Sequence, residues 1–150
     1  MSLSVIVRVM KPEDLDAVVA IDEKITGTPR EEYYRYRFKV ATLNDTQINA
    51  SLVAEADGRV VGFLMGTLFS GEFGIPESSA VVDTLGVDPE LQDRGVGGAL
   101  FDQFRTNMKA AGVERIYTLV DWKDFGLLKF FGHMGFVPSQ RLSLELPVLY

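Results

Sequence analysis

The chain has 150 residues, 47% hydrophobic, 24% charged and 11% aromatic, a profile that fits one folded domain and excludes disordered and fibrous classes. It has no cysteine and a single histidine, His133, which rules out disulfides, thiolate zinc sites, iron–sulfur clusters, a cysteine nucleophile and histidine-rich metal centres. Fifteen Lys and Arg against twenty-one Asp and Glu leave a net charge of −6, the wrong sign for a domain that draws its affinity from nucleic-acid phosphates.

Val5, Val7 and Val9 alternate as in a strand, and Lys11-Pro12-Glu13-Asp14 carries the chemistry of a helix start. Leu15, Val18, Val19, Asp22 and Ile25 recur at helical spacing until Thr26-Gly27-Thr28-Pro29 breaks the run. Residues 30–43 read as a second helix with Tyr33, Tyr34, Tyr36 and Phe38 among charged neighbours, a surface for the core or for a substrate groove. Residues 52–56, Asp57-Gly58 and residues 60–69 read as a β-hairpin, since Asp-Gly supplies the positive φ angles of a two-residue turn. A loop over 70–79 leads to a strand over 80–87. Val96, Leu100, Phe104 and Met108 recur every four residues up to Gly112, predicting a helix. A strand over 115–121, a short helix over 123–134 and one or two strands over 136–146 complete the chain.

The order βααβββαβαβ, with a further strand optional, makes a single α/β domain over 1–150, with helices on a mixed, mostly antiparallel sheet. No secretory signal or apolar run long enough to span a membrane is read. The expectation is a soluble, cytoplasmic protein without membrane or nucleic-acid partners.

The chemically informative stretch is Val87-Asp88-Pro89-Glu90-Leu91-Gln92-Asp93-Arg94-Gly95-Val96-Gly97-Gly98, where a strand ends and glycines open a helix. A helix N-terminus presents unpaired N–H groups and partial positive charge, and glycines let an anion approach them closely. The same glycines would also serve plain helix–strand packing, and an isolated Gly-x-Gly does not decide between the two. The dinucleotide fingerprint fails because position 100 is Leu100, and no P-loop Gly-Lys-Ser/Thr occurs anywhere.

Gln92-Asp93-Arg94-Gly95-Val96-Gly97 resembles the Gln/Arg-x-x-Gly-x-Gly/Ala signature of the GNAT superfamily of N-acetyltransferases, and Val87-Asp88-Pro89 its preceding Val-x-Pro. Phe130-Phe131-Gly132-His133-Met134-Gly135-Phe136 is similar to the family's Phe-Tyr-x-x-x-Gly-Phe. The resemblance implies a GNAT-like fold with helices on both faces of the sheet, and acetyl-CoA as co-substrate without a metal. It implies that the backbone N–H groups of residues 93–98 (Asp93, Arg94, Gly95, Val96, Gly97 and Gly98) hold the pyrophosphate, with Gln92 also binding the cofactor. It further implies that Leu85, Gly86 and Val87 pair with pantetheine where two strands splay apart, with Asp124 and Phe131 also facing the cofactor. Asp124 equally suits a helix cap.

Two positions depart from the family pattern. Phe131 replaces the tyrosine that protonates the leaving thiolate in many members, so Tyr117 or the Tyr33, Tyr34 and Tyr36 group would serve, or the thiolate leaves unassisted. Val81 stands where some members carry a glutamate base, which turns attention to Asp83, an acid in an apolar strand on the same face as Val81 and Leu85 by simple alternation. A structural hydrogen-bond role for Asp83 stays open, and Asp121 is a second candidate base. His133 reads as a residue of a polar helix face, and Trp122 as a core or rim residue.

The reading is an acetyl-CoA-dependent N-acetyltransferase that moves acetyl to a primary amine by direct attack in a ternary complex. A non-catalytic acyl-CoA-binding or regulatory module is the alternative, and a nucleotide-binding protein without acyl chemistry comes third. The acceptor is a small amine or a protein or peptide amine. The acids Glu31, Glu32, Glu72 and Glu77 favour a cationic one, and a homodimer is left open.

Overall fold

The structure, a computed structural model, describes residues 2–43, 50–71, 74 and 76–149. Strand β1 (Ile6–Val9) leads through a 3-10 turn (Pro12–Asp14) into α1 (Leu15–Thr26) and α2 (Glu31–Leu43). There follow β2 (Ser51–Ala56), β3 (Arg59–Ser70), β4 (Ser78–Val87), a 3-10 turn (Pro89–Leu91), α3 (Val96–Ala110), β5 (Arg115–Thr118) and α4 (Phe125–His133). The chain forms two compact units, Met1–Leu119 and Val120–Tyr150.

In the first unit the strands lie in sequence order, β1-β2-β3-β4-β5, antiparallel except for the parallel β4–β5 pair. The Asp57-Gly58 turn between β2 and β3 has φ of 53° and 75°, the left-handed pair that a primed hairpin turn requires. Along β3, Phe63 and Met65 join Val18, Ile21, Tyr34 and Phe38 of α1 and α2 in one core cluster. The flanking glycines, Gly62 and Gly66, face the other way. A Cβ on Gly62 would stand 2.9 Å from Val96, and one on Gly66 2.6 Å from Phe104, so α3 rests directly on the sheet backbone there. Helices thus cover both faces of the sheet, as expected.

The α1–α2 junction is locked by a buried carboxylate. Asp22 accepts two hydrogen bonds from Arg30, at 2.8 and 2.6 Å, and one from the Tyr34 hydroxyl at 2.9 Å. These bonds, the Arg30 pair first, hold the Asp22 carboxyl below its ordinary range against the opposing effect of burial. Burial, and then the Asp22 bond, push the Tyr34 phenol well up. Tyr34 is therefore core, whereas Tyr33 and Tyr36 are exposed.

Three expectations are corrected. The strand expected over 115–121 stops at Thr118, where its ladder with β4 ends. The helix expected from residue 123 begins at Phe125, because residues 121–124 form a turn closed by Asp121 and Asp124. The final strands over 136–146 are absent: the backbone from Phe136 to Leu149 forms no ladder. In the second unit Phe131 is buried, with ring centroids 5.3 Å from Phe130 and 4.9 Å from Phe136, while Trp122 is exposed rather than core. No helix among the described residues is long and apolar enough to cross a membrane.

Candidate functional site

The site grows from the junction of β4 and α3. β4 pairs with β5 only from Ser79 to Val82, while on its other side the ladder with β3 continues to Val87. Thr118 ends the β5 ladder by donating its hydroxyl to the Val82 carbonyl at 2.9 Å. Beyond that bond, the edge of β4 through Leu85, Gly86 and Val87 has no ladder partner among the described residues. β5 has stopped at Thr118, so this stretch of β4 is an open edge at the place where the resemblance implies pantetheine. Gly86 is obligatory in it, since a Cβ would fall 2.5 Å from the Phe63 ring.

The loop after β4 is anchored by Asp88. Its backbone N–H donates to the Val61 carbonyl at 2.9 Å, and its buried carboxylate accepts from the Glu90 N–H at 3.1 Å and from Lys24 at 3.2 Å. Burial alone would raise this carboxyl; the N–H and the ammonium outweigh it and hold it below its ordinary range. The sequence reading passed over Asp88 as a strand end, although Asp-Pro before a turn is a capping signal.

The chain then turns through two left-handed residues, Asp93 at φ 62° and Gly95 at φ 85°, and enters α3. Such turns converge N–H groups on a concavity suited to anions. The first bond of the helix runs from Ala99 N–H to Gly95 carbonyl at 3.0 Å, so the N–H groups of Val96, Gly97 and Gly98 precede the ladder. No side chain caps this end, and no acidic residue sits in its first turn. A Cβ on Gly98 would meet nothing within 4 Å, so the helix face there is open. Gln92, Asp93, Arg94 and Gly95 are exposed, and the Arg94 carbonyl accepts from Leu3 N–H at 2.8 Å. The arrangement can hold a phosphate group through backbone N–H groups, next to a strand edge able to pair with an amide-bearing chain.

Asp83 occupies a β-bulge. Met65 pairs with Thr84 and Gly66 with Val82, leaving Asp83 as the extra residue on β4. The alternation expected from Val81 through Asp83 to Leu85 is therefore broken. The side chain reaches the α2 face, where one oxygen, Oδ2, accepts from Arg37 and from the Thr67 hydroxyl, each at 2.6 Å. Oδ1 has no partner among the described residues, and the side chain is 29% exposed. Arg37 and Thr67 were not found from sequence; a bulge leaves no compositional mark.

The other candidate groups are committed elsewhere. Tyr117, opposite Val81, donates its hydroxyl to Glu77 at 2.8 Å, toward the start of β4 and away from Leu85–Val87. Asp121 accepts from Lys123 N–H at 2.8 Å, and Asp124 caps α4 by accepting from Leu127 N–H at 3.1 Å. Both lie in the second unit with Phe131. His133 is exposed at the end of α4. Glu31 pairs with Arg35 and Glu77 with Arg115, while Glu72 lies outside the described residues.

Residues 15–136 match the model of the acetyltransferase (GNAT) family. The chain belongs to that family. Solved structures share its fold at low identity. A transcriptional regulator from Bacillus halodurans C-125 is 18% identical over 97% of this chain and 100% of its own, with a TM-score of 0.80. The aminoglycoside N-acetyltransferase AAC(6')-Iy in complex with CoA is 15% identical over 98% and 97%, with a TM-score of 0.81. A ribosomal-protein-alanine N-acetyltransferase from Brucella melitensis is 15% identical over 97% and 100%, with a TM-score of 0.75.

Proposed function

We propose that this GNAT-family protein transfers acetyl from acetyl-CoA to a primary amine by direct attack in a ternary complex. The observation that carries the reading is the unpaired β4 edge leading into an uncapped α3 start: an edge for the pantetheine amides beside N–H groups for the pyrophosphate. In the reaction the amine nitrogen attacks the thioester carbonyl carbon, forming a C–N bond as the C–S bond breaks. Sulfur leaves with the electron pair, and the amine gives up one proton.

Of the three residues considered for proton handling, Asp83 has the suitable arrangement. Arg37 and Thr67 fix one of its oxygens and leave the other to accept an N–H from the acceptor and relay the proton to solvent. The thiolate then needs no assigned acid, consistent with the Tyr117 hydroxyl being committed to Glu77. The acceptor class is a small amine or a peptide amine.

A panel of amine classes with free-thiol detection, run beside a no-acceptor control, tests the activity. Binding of acetyl-CoA without turnover on any amine would favour a non-catalytic acyl-CoA-binding module. Asp83→Asn tests the proton role: acetyl-CoA affinity should persist while kcat falls ~10²-fold, the scale of one acid–base group. A lower Tm with unchanged kcat would make Asp83 structural.

A further inference from the structure

Lys24 stands on the last turn of α1, where a basic side chain ordinarily serves the dipole of its own helix. Its ammonium reaches across to the loop after β4 and donates to Asp88 Oδ2 at 3.2 Å. The two ends of that bond are unlike: the Asp88 side chain is 3% exposed and that of Lys24 46%. A carboxylate so far from water is unfavourable unless charge and hydrogen bonds answer it. Oδ1 accepts from Glu90 N–H at 3.1 Å, and Lys24 is the one cation hydrogen-bonded to Asp88 among the described residues. Arg59, at the start of β3, acts on it through charge alone.

Asp88 fastens the turn that leads to the start of α3. Its N–H donates to the Val61 carbonyl at 2.9 Å, its carbonyl accepts from Leu91 N–H at 2.8 Å, and its carboxylate holds Glu90 N–H. A neutral serine or asparagine would serve the Glu90 bond as well. What the carboxylate adds is the demand for a cation, and α1 meets it. α1 is itself fixed, by the Asp22 bonds to Arg30 and Tyr34 and by the left-handed Gly27 that ends it. We propose that Lys24 is a positioning residue for acetyl-CoA: acting through Asp88, it ties the loop ahead of α3 to α1 and so sets cofactor affinity without touching the cofactor. The inference rests on the acetyl-CoA reading under Proposed function.

Calorimetry with acetyl-CoA on the full chain, well below the Tm of each variant, is the test. Lys24→Met should weaken binding at least about tenfold, and Lys24→Arg, which keeps the charge, should retain most of the affinity. In an Asp88→Asn background the amide oxygen still accepts from Glu90 N–H and needs no cation, so Lys24→Met should there have no further effect. The same loss in both backgrounds would mean that Lys24 meets the cofactor directly, and overturns the proposal. The pH profile supplies a readout that packing alone would not move. Burial pushes the Asp88 carboxyl up, and the Glu90 N–H and Lys24 outweigh it. Without the ammonium the carboxyl takes up its proton at higher pH, and once neutral it no longer calls for a cation. The ratio of unmodified to Lys24→Met affinity, in which the titration of acetyl-CoA's own phosphates cancels, should therefore be largest at neutral pH and fall toward one on acidification. A ratio above one that ignores pH overturns the proposal, and so does a ratio of one at every pH, which leaves the acetyl-CoA reading intact. An unmodified chain that binds no acetyl-CoA overturns both.

Discussion

The helices α3 and α4 start in opposite ways. At α4 the Asp124 carboxylate accepts from the Leu127 N–H, so the helix satisfies its own end. At α3 a left-handed glycine stands in the capping position, no side chain reaches back, and the N–H groups of Val96, Gly97 and Gly98 stay outside the ladder. α2 makes a third case, with Glu31 and Glu32 placed against its dipole. A helix start with no side-chain cap and no acid in its first turn leaves its N–H groups open to an external anion. The contrast extends to the carboxylates: Asp22 is saturated by Arg30 and Tyr34, while Asp83 keeps one oxygen open.

The contrast can be broken most severely at its saturated end. Asp22→Asn removes the ion pair and sets an amide NH2 against one of the two Arg30 donors, which should lower stability by about 2 kcal/mol while turnover of the folded fraction stays unchanged. Because the folded-state Asp22 carboxyl lies below its ordinary range, its contribution is complete above about pH 4. It disappears as the pH falls through the folded value, where the unfolded chain already binds the proton. Acid unfolding of the variant should be correspondingly less steep, as urea titrations at stepped pH would measure.

Filling the open end comes next. Gly97→Asp adds bulk and a negative charge to the first turn of α3 and should weaken acetyl-CoA binding at least tenfold, about 1.4 kcal/mol, by calorimetry on a folded variant. Unchanged affinity would mean that the open N–H groups serve packing alone. The smallest effect belongs to α4. Asp124→Ala should destabilise its helix by about 1 kcal/mol, and Asp124→Ser should recover most of that in thermal melts. An acetyl-CoA affinity that follows the same pattern would show that Asp124 also faces the cofactor, and would narrow the difference between the two helix starts.

What the sequence made legible follows from periodicity and turn chemistry. The stripe at Val96, Leu100, Phe104 and Met108 located α3, and Asp57-Gly58 located the hairpin. The glycines around residue 95 located the start of α3, because a helix start is a local property. Partnership is not local, and the reading went wrong where partners decide. β5 ends at Thr118 because its ladder with β4 ends there, although residues 119–121 look no less like a strand. Residues 142–146 have the right alternation and form no ladder among the described residues. Asp83 was assigned a face by counting in twos, which holds only while each residue on β4 has one partner on β3. Asp88 and Lys24 are 64 residues apart, beyond any pattern window.

The bulge at Asp83 gives β4 two phases. Before it, Val82 pairs with Gly66 and shares its α3-facing side; after it, Leu85 pairs with Leu64 and faces the same way despite the odd number of steps between them. Deletion of residue 83 would bring both halves of β4 into a regular ladder with β3. A single lost codon there would leave a sheet of correct register with its carboxylate gone. The register of the sheet and the carboxylate proposed to relay the proton are therefore separable.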